Sequence, residues 1–125
     1  GEKLGSVVIG TVEGDIHDIA KDIVAFMLDI NGFEVTDLGV DVPPAKFVEA
    51  VQETGASIVG LSGFLTLAYD PMKETVAALH DADLNVKVMI GGGQIDEQIR
   101  AYTKANAYGD DAMAAVALAK DWMKE

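Results

Sequence analysis

The feature that most constrains this chain is an alternation of hydrophobic period. Short, β-branched apolar runs are each followed by a longer amphipathic one. Val7 to Val12, Glu34 to Leu38, Ser57 to Leu61 and Val86 to Ile90 read as strands, with a weaker fifth over Ala105 to Tyr108. The four clear runs are almost continuously apolar, as parallel strands buried on both faces are. Between them the period becomes helical. A first helix, Ile16 to Asn31, sets Ile16, Ile19, Ala20, Ile23, Met27 and Ile30 on one apolar stripe and stops at Gly32. A second opens at Pro43-Pro44, and a third at Asp70-Pro71, where Asp supplies the N-cap and Pro suits the first helical position. A fourth follows Gly93 and a fifth runs from Asp110 to Lys124. Five βα units in succession predict an α/β fold. It is flavodoxin-like (Rossmann-like): a doubly wound, five-stranded parallel sheet in the order 2-1-3-4-5.

In such sheets ligands bind at the carboxyl ends of the strands, near the switch point between strands 1 and 3. Three segments converge there: "TVEGDIHD" after strand 1, "LSGFLTLAYD" after strand 3 and "IGGGQ" after strand 4. His17, Ser62 and Gly91 to Gly93 are therefore expected on one edge. The glycines remove Cβ atoms, so a bulky ligand can lie against the main chain. His17 can offer an imidazole nitrogen to a metal while Asp15 accepts the proton of the other ring nitrogen, and Ser62 is placed to hold that carboxylate. With no cysteine in 125 residues and only one other histidine, His80, the chain offers too few ligands for a bare zinc or iron site. The metal must arrive already chelated, in a macrocycle that needs one axial ligand.

Composition removes other classes of function. Twenty-one acidic against nine basic residues give a formal charge of −12, which repels phosphate backbones and anionic membrane surfaces. Neither nucleic acid nor a membrane is expected as a partner. No apolar run approaches the ~20 residues that span a bilayer, and the expectation is a cytoplasmic protein.

The ordered motifs resemble those of the cobalamin-binding domain of corrinoid proteins from methyltransferase systems, whose signature is Asp-x-His-x-x-Gly, Ser-x-Leu and Gly-Gly. The chain carries Asp15-Ile16-His17-Asp18-Ile19-Ala20, then Ser62-Gly63-Phe64, then Gly91-Gly92. The likeness extends through "VVIGTVEGDIHDIAKDIV", "GFEVTDLGVDVPPAKFVEAV", "GLSGFLT", "VMIGGG" and "AYGDDA". It departs at Ala20, where the motif has Gly, and at Phe64, where Leu is usual. The resemblance implies cobalamin as cofactor, held with its dimethylbenzimidazole released from cobalt, His17 as the lower ligand, and the nucleotide tail in a slot beside strands 1, 3 and 4. Asp15, Asp18, Ile19, Ala20, Ser62, Phe64, Leu65, Thr66, Gly91, Gly92, Gly93 and Tyr108 are the further cofactor-binding residues it implies. It also implies partners: a substrate-specific methyltransferase that loads a methyl group and an acceptor methyltransferase that removes it. The chain by itself then carries the methyl group and supplies no general base or nucleophile to the substrate. The family commonly has a helical bundle ahead of this domain. Here one cobalamin-binding domain over 1–125 is expected, without that cap.

Competing readings remain at this point. Asp15 suits a helix N-cap and Asp18 the first-turn dipole; His17 suits a solvated first turn; Ser62 and the glycines suit strand ends. His80 reads as surface, Trp122, Met113 and Met123 as packing, and Asp41 as a turn residue. A phosphoacceptor receiver lacks its aspartate, since strand 3 ends Gly60-Leu61-Ser62. An FMN-binding flavodoxin would set carboxylates against its phosphate. The cobalamin subunit of an adenosylcobalamin-dependent mutase stays open, as does a domain that has lost the cofactor.

Overall fold

The computed structural model describes residues 2–125. Five parallel strands, β1 (Gly5–Thr11), β2 (Phe33–Asp37), β3 (Ile58–Ser62), β4 (Lys87–Gly91) and β5 (Ala107–Gly109), pair in the order β2-β1-β3-β4-β5. This is the predicted order. Five helices connect or follow them: α1 (Ile19–Ile30), α2 (Pro44–Thr54), α3 (Tyr69–Asp81), α4 (Glu97–Thr103) and α5 (Ala112–Met123).

Strand alternation divides the core in two. Val8, Val59, Leu61, Val88 and Ile90 face α2, α3 and α4, where Phe47, Met72 and Leu79 are fully buried against them. Val7, Ile58 and Met89 face α1 and α5 and pack on Leu28, Phe33, Ala115 and Ala119. Each fully buried aromatic contributes about 2–3 kcal/mol by the area it removes from water. On the α1/α5 face the same parity places Gly60 and Ser62 above Ile58, and Gly91 above Met89. Ile9 and Met89 flank Gly60, and beyond them this face carries only Thr11, Ser62 and Gly91, so a groove opens at its carboxyl end.

Several boundaries differ from expectation for local reasons. Helix α1 begins at Ile19, not Ile16, because the Asp15 carboxylate accepts the His17 N–H and folds residues 15–17 into a turn. Asp18, not Asp15, is the N-cap residue, and its side chain makes no cap bond. Asp70 lies inside the first turn of α3, which a 3₁₀ turn at Thr66–Ala68 leads into, so it is not the N-cap. Asp96 and Asp111 cap α4 and α5 through bonds from the N–H groups of Ile99 and Ala114.

The stripe on α1 is corrected too. Ile16, Ile19, Ile23 and Ile30 are more than half exposed, and the buried side of the helix carries Lys21 and Leu28. Lys21 is 4% exposed, its ammonium 2.9 Å from both oxygens of Asp37 and 2.6 Å from Asp22. Burial pushes that ammonium down, but the hydrogen bonds and charges of Asp22 and Asp37 outweigh it, and the net direction is up. The cluster ties α1 to the end of β2. Among the last-helix residues, Trp122 packs on the core, whereas Met113 is 70% exposed at the groove and Met123 is partly exposed beside Gly5.

Candidate functional site

The site is built from the three loops at the carboxyl ends of β1, β3 and β4. The β1 loop is fixed from below. Thr11 Oγ1 donates to the His17 carbonyl at 2.9 Å, Val12 N–H donates to the Ser62 carbonyl, and Gly14 N–H donates to the carboxylate of Asp41 at 2.7 Å. Asp41 is a turn residue, as expected, held at φ 52°. Its role as a carboxylate acceptor for Gly14 has no signature in the sequence.

Asp15 is the hinge of the arrangement. It is 7% exposed and accepts three bonds, from His17 N–H at 2.8 Å and His17 Nδ1–H at 2.7 Å through Oδ1, and from Phe64 N–H at 2.8 Å through Oδ2. Burial pushes the carboxyl up, but the Phe64 and His17 donors more than offset it and hold it below its ordinary value. An ionised acceptor at Nδ1 fixes the imidazole proton there. The other nitrogen, Nε2, has no hydrogen-bond partner among the described residues, and the ring is 52% exposed. His17 therefore presents a lone pair, oriented from behind by a carboxylate, which is the arrangement of a single axial metal ligand.

The structure replaces Ser62 with Phe64 as the residue that closes the Asp15 network. Ser62 lies at the end of β3 and lines the groove, but makes no bond to Asp15; the Phe64 backbone N–H takes that place. A main-chain donor leaves no trace in residue identity. The Phe64 ring also stacks on His17, with centroids 4.6 Å apart and planes inclined 29°. The Phe64 side chain thus lies against one face of the imidazole.

The three glycines do different work. At Gly92 (φ 132°) a Cβ would lie 1.7 Å from the Gly63 carbonyl oxygen, so its missing side chain lets the β3 and β4 loops touch. At Gly93 a Cβ would meet the Phe64 ring at 3.1 Å. Only Gly91 stays open, its nearest neighbour the Gly109 carbonyl at 3.5 Å, and it lines the groove. All three line the cavities, Gly91 one, Gly93 the other and Gly92 both, but at Gly92 and Gly93 the missing Cβ also serves loop packing.

Two cavities share Ala20, Ile23, Ser62 and Gly92. One of about 480 Å³ surrounds His17 and includes Asp18, Ile19, Phe64 and Gly93. The other, about 540 Å³, runs between α1 and α5 over Gly60, Met89 and Gly91, with Val24, Met27 and Met113 on its walls. Their walls are mostly apolar, as in pockets that take cofactors. Leu65, Thr66 and Tyr108 line neither. Leu65 and Thr66 sit in the exposed approach to α3. Tyr108 pairs with Ile90 and so faces the α2–α4 side, while its neighbour Gly109, in register with Gly91, lies at the groove. Lys21 and Met113 also line the groove, and neither a lysine nor a methionine of the last helix announces that in the sequence.

A macrocycle-bound metal fits this donor set. Among the described residues no three His, Asp or Glu side chains gather that could hold a metal ion alone. One free imidazole nitrogen stands on the cavity that adjoins the apolar groove between α1 and α5. No helix among the described residues is long and apolar enough to cross a membrane.

Comparison with known proteins agrees with that geometry. Over 121 residues the chain is 44% identical to dimethylamine corrinoid protein 1 of Methanosarcina acetivorans, covering 95% of this chain and 57% of that protein. A solved cobalamin-binding protein from Desulfitobacterium hafniense superposes with a TM-score of 0.92 at 44% identity, over 94% of this chain and 58% of the other. A chain of the methanol:cobalamin methyltransferase complex of Methanosarcina barkeri superposes at 0.94 with 30% identity, over 98% and 48%. The chain thus spans about half the length of these relatives. Residues 5–117 match the family described as the B12 binding domain, and with the histidine, its carboxylate and the groove all inside that span, the chain belongs to that family.

Proposed function

We propose that this chain is the cobalamin-carrying module of a corrinoid methyl-transfer system, with His17 as the lower axial ligand of a base-off cofactor. The observation that carries the reading is the Asp15-held imidazole with its free Nε2 at the mouth of the groove. Bound there, the cofactor would supply a cobalt centre that accepts and gives up a methyl group. The protein supplies the rest. His17 would hold the metal through Nε2, and Asp15 holds the proton on Nδ1 and orients the ring. Gly60, Gly91 and the apolar walls of α1 and α5 would hold the nucleotide tail. Phe64 lies against the imidazole face, and Ala20 lines both cavities.

In this reading the chain carries the methyl group, and the chemistry on the donor belongs to a partner. The chain then serves two methyltransferases in turn, one loading and one unloading, and the donor's identity belongs to the first. Likeness to a dimethylamine corrinoid protein supports a methylated amine as the donor class. A cytoplasmic location belongs to the same reading, since a carrier must dissociate from one partner and bind the next.

Gel filtration after incubation with hydroxocobalamin tests the reading. About one corrin per chain should co-elute, and the methylcobalamin-loaded protein should lose its methyl group to a corrinoid-dependent acceptor methyltransferase. Failure to retain any corrin would overturn the proposal. Turnover only with the adenosyl form, beside a mutase subunit, would replace it.

A further inference from the structure

The outward side of α1 carries four large apolar residues that the groove does not explain as a set. Ile19, Ile23, Phe26 and Ile30 are 77%, 51%, 61% and 58% exposed, on the side of the helix opposite Lys21 and Leu28. Their spacing, i, i+4, i+7 and i+11, is the four-three alternation that a helix presents to one other helix in knobs-into-holes packing. Ile19 and Ile23 touch the mouth of the site, whereas Phe26 and Ile30 line neither cavity. At ~1.5 Å per residue the ridge runs about 16 Å down the molecule from that mouth.

We propose that this ridge docks a single amphipathic helix of a partner protein, one whose apolar stripe is bordered by lysine or arginine. Width and charge decide the occupant. The ridge is one helix wide, with Asp18, Asp22 and Asp29 exposed along one flank; Asp22 is paired with Lys21 and Lys120 reaches Asn31 at the helix end, while Asp18 and Asp29 form no ion pair among the described residues. Lys21, the nearest cation, is buried and already paired. A second copy crossing antiparallel about a two-fold axis would set this acidic flank against itself, on a chain of formal charge −12. An anionic lipid surface is repelled in the same way. Ile19 and Ile23 are shared with the cofactor cavities, so the inference rests on Phe26 and Ile30, which line neither.

Fluorescence anisotropy with two synthetic three-heptad peptides tests it. Both carry Leu at the a and d positions; one has Lys along its flanks and the other Glu. The Lys-flanked peptide should bind saturably and at least about tenfold tighter than its Glu counterpart. Phe26→Asp and Ile30→Asp should each weaken it about tenfold or more. Both positions are exposed, so the variants should keep the parent's melting curve, measured alongside by circular dichroism. Asp29, whose side chain makes no bond among the described residues, gives the charge test: Asp29→Lys should narrow or reverse the preference between the peptides. Equal affinity for the two peptides, no saturable binding, or unchanged binding by Phe26→Asp would overturn the proposal. So would a dimer in sedimentation that Phe26→Asp dissociates, since the occupant would then be a second copy.

Discussion

Asp15→Asn keeps the shape of the central side chain and removes the charge that three donors share. In the native site one oxygen takes both His17 donors and the other takes Phe64 N–H. An amide has a single oxygen, so its NH2 must oppose either the Phe64 N–H or the His17 pair. One side of the network is lost. A hydrogen bond to a charged group is worth about 1.5–3 kcal/mol, so the substitution should cost about 2 kcal/mol at pH 7. With an unfolding entropy of about 2.1 cal/mol/K per residue, a chain of 125 residues should then melt about 8 °C lower. The pH dependence follows from the direction of the shift. The native carboxyl lies below its ordinary value, burial being outweighed by the Phe64 and His17 bonds. Its stabilisation is therefore complete above the unfolded pKa of about 3.9 and fades as pH falls through the lower native value. Thermal and urea melts followed by circular dichroism should show a constant gap between parent and variant from neutrality to about pH 5, shrinking below about pH 4. Equal melting points at pH 7 would show that the loops hold without the carboxylate. A gap undiminished in acid would show that charge is not its cause.

Gly91→Ala and Gly92→Ala should separate ligand space from loop packing. The first should leave stability nearly unchanged and weaken cobalamin binding in a titration, while the second should cost about 3 kcal/mol or more in urea melts, because its Cβ meets the Gly63 carbonyl at 1.7 Å. Lys21→Met should cost about 2 kcal/mol, less than a fully enclosed pair because Asp22 and Asp37 can rehydrate. As the native ammonium is raised, denaturant melts should show that loss unchanged up to about pH 10, fading only as pH climbs through the native pKa. Ala20→Gly, at the junction of the cavities, should tighten cobalamin binding while costing the apo helix about 0.5–1 kcal/mol; opposite signs in titration and melting are the expected result.

What the sequence shows well is whatever side-chain period encodes. Strand order and the two faces of the sheet follow from apolar runs and the economy of right-handed crossovers, and the joint position of His17, Ser62 and Gly91 follows from that order. What it hides falls into two kinds. Backbone donors are the first: the Phe64 N–H closes the Asp15 network, and nothing at position 62 or 64 announces that the main chain, not the Ser62 hydroxyl, does so. Direction is the second. The period of α1 marks an apolar stripe correctly, but which stripe turns inward depends on Lys21, whose burial is made tolerable by Asp37 sixteen residues away. Asp15 shows both together, since the turn it makes with His17 delays the helix for which it resembles a cap.

The central claim is that His17 Nε2 binds cobalt, and electron paramagnetic resonance of the Co(II) form tests it most directly. Protein made with ¹⁵N-histidine and loaded with unlabelled cobalamin should show the nitrogen splitting change from the triplet of ¹⁴N to the doublet of ¹⁵N, and His17→Ala should lose the doublet while His80→Ala keeps it. A triplet that survives labelling would mean that the cofactor keeps its own benzimidazole on the metal, and the account of this site would be wrong.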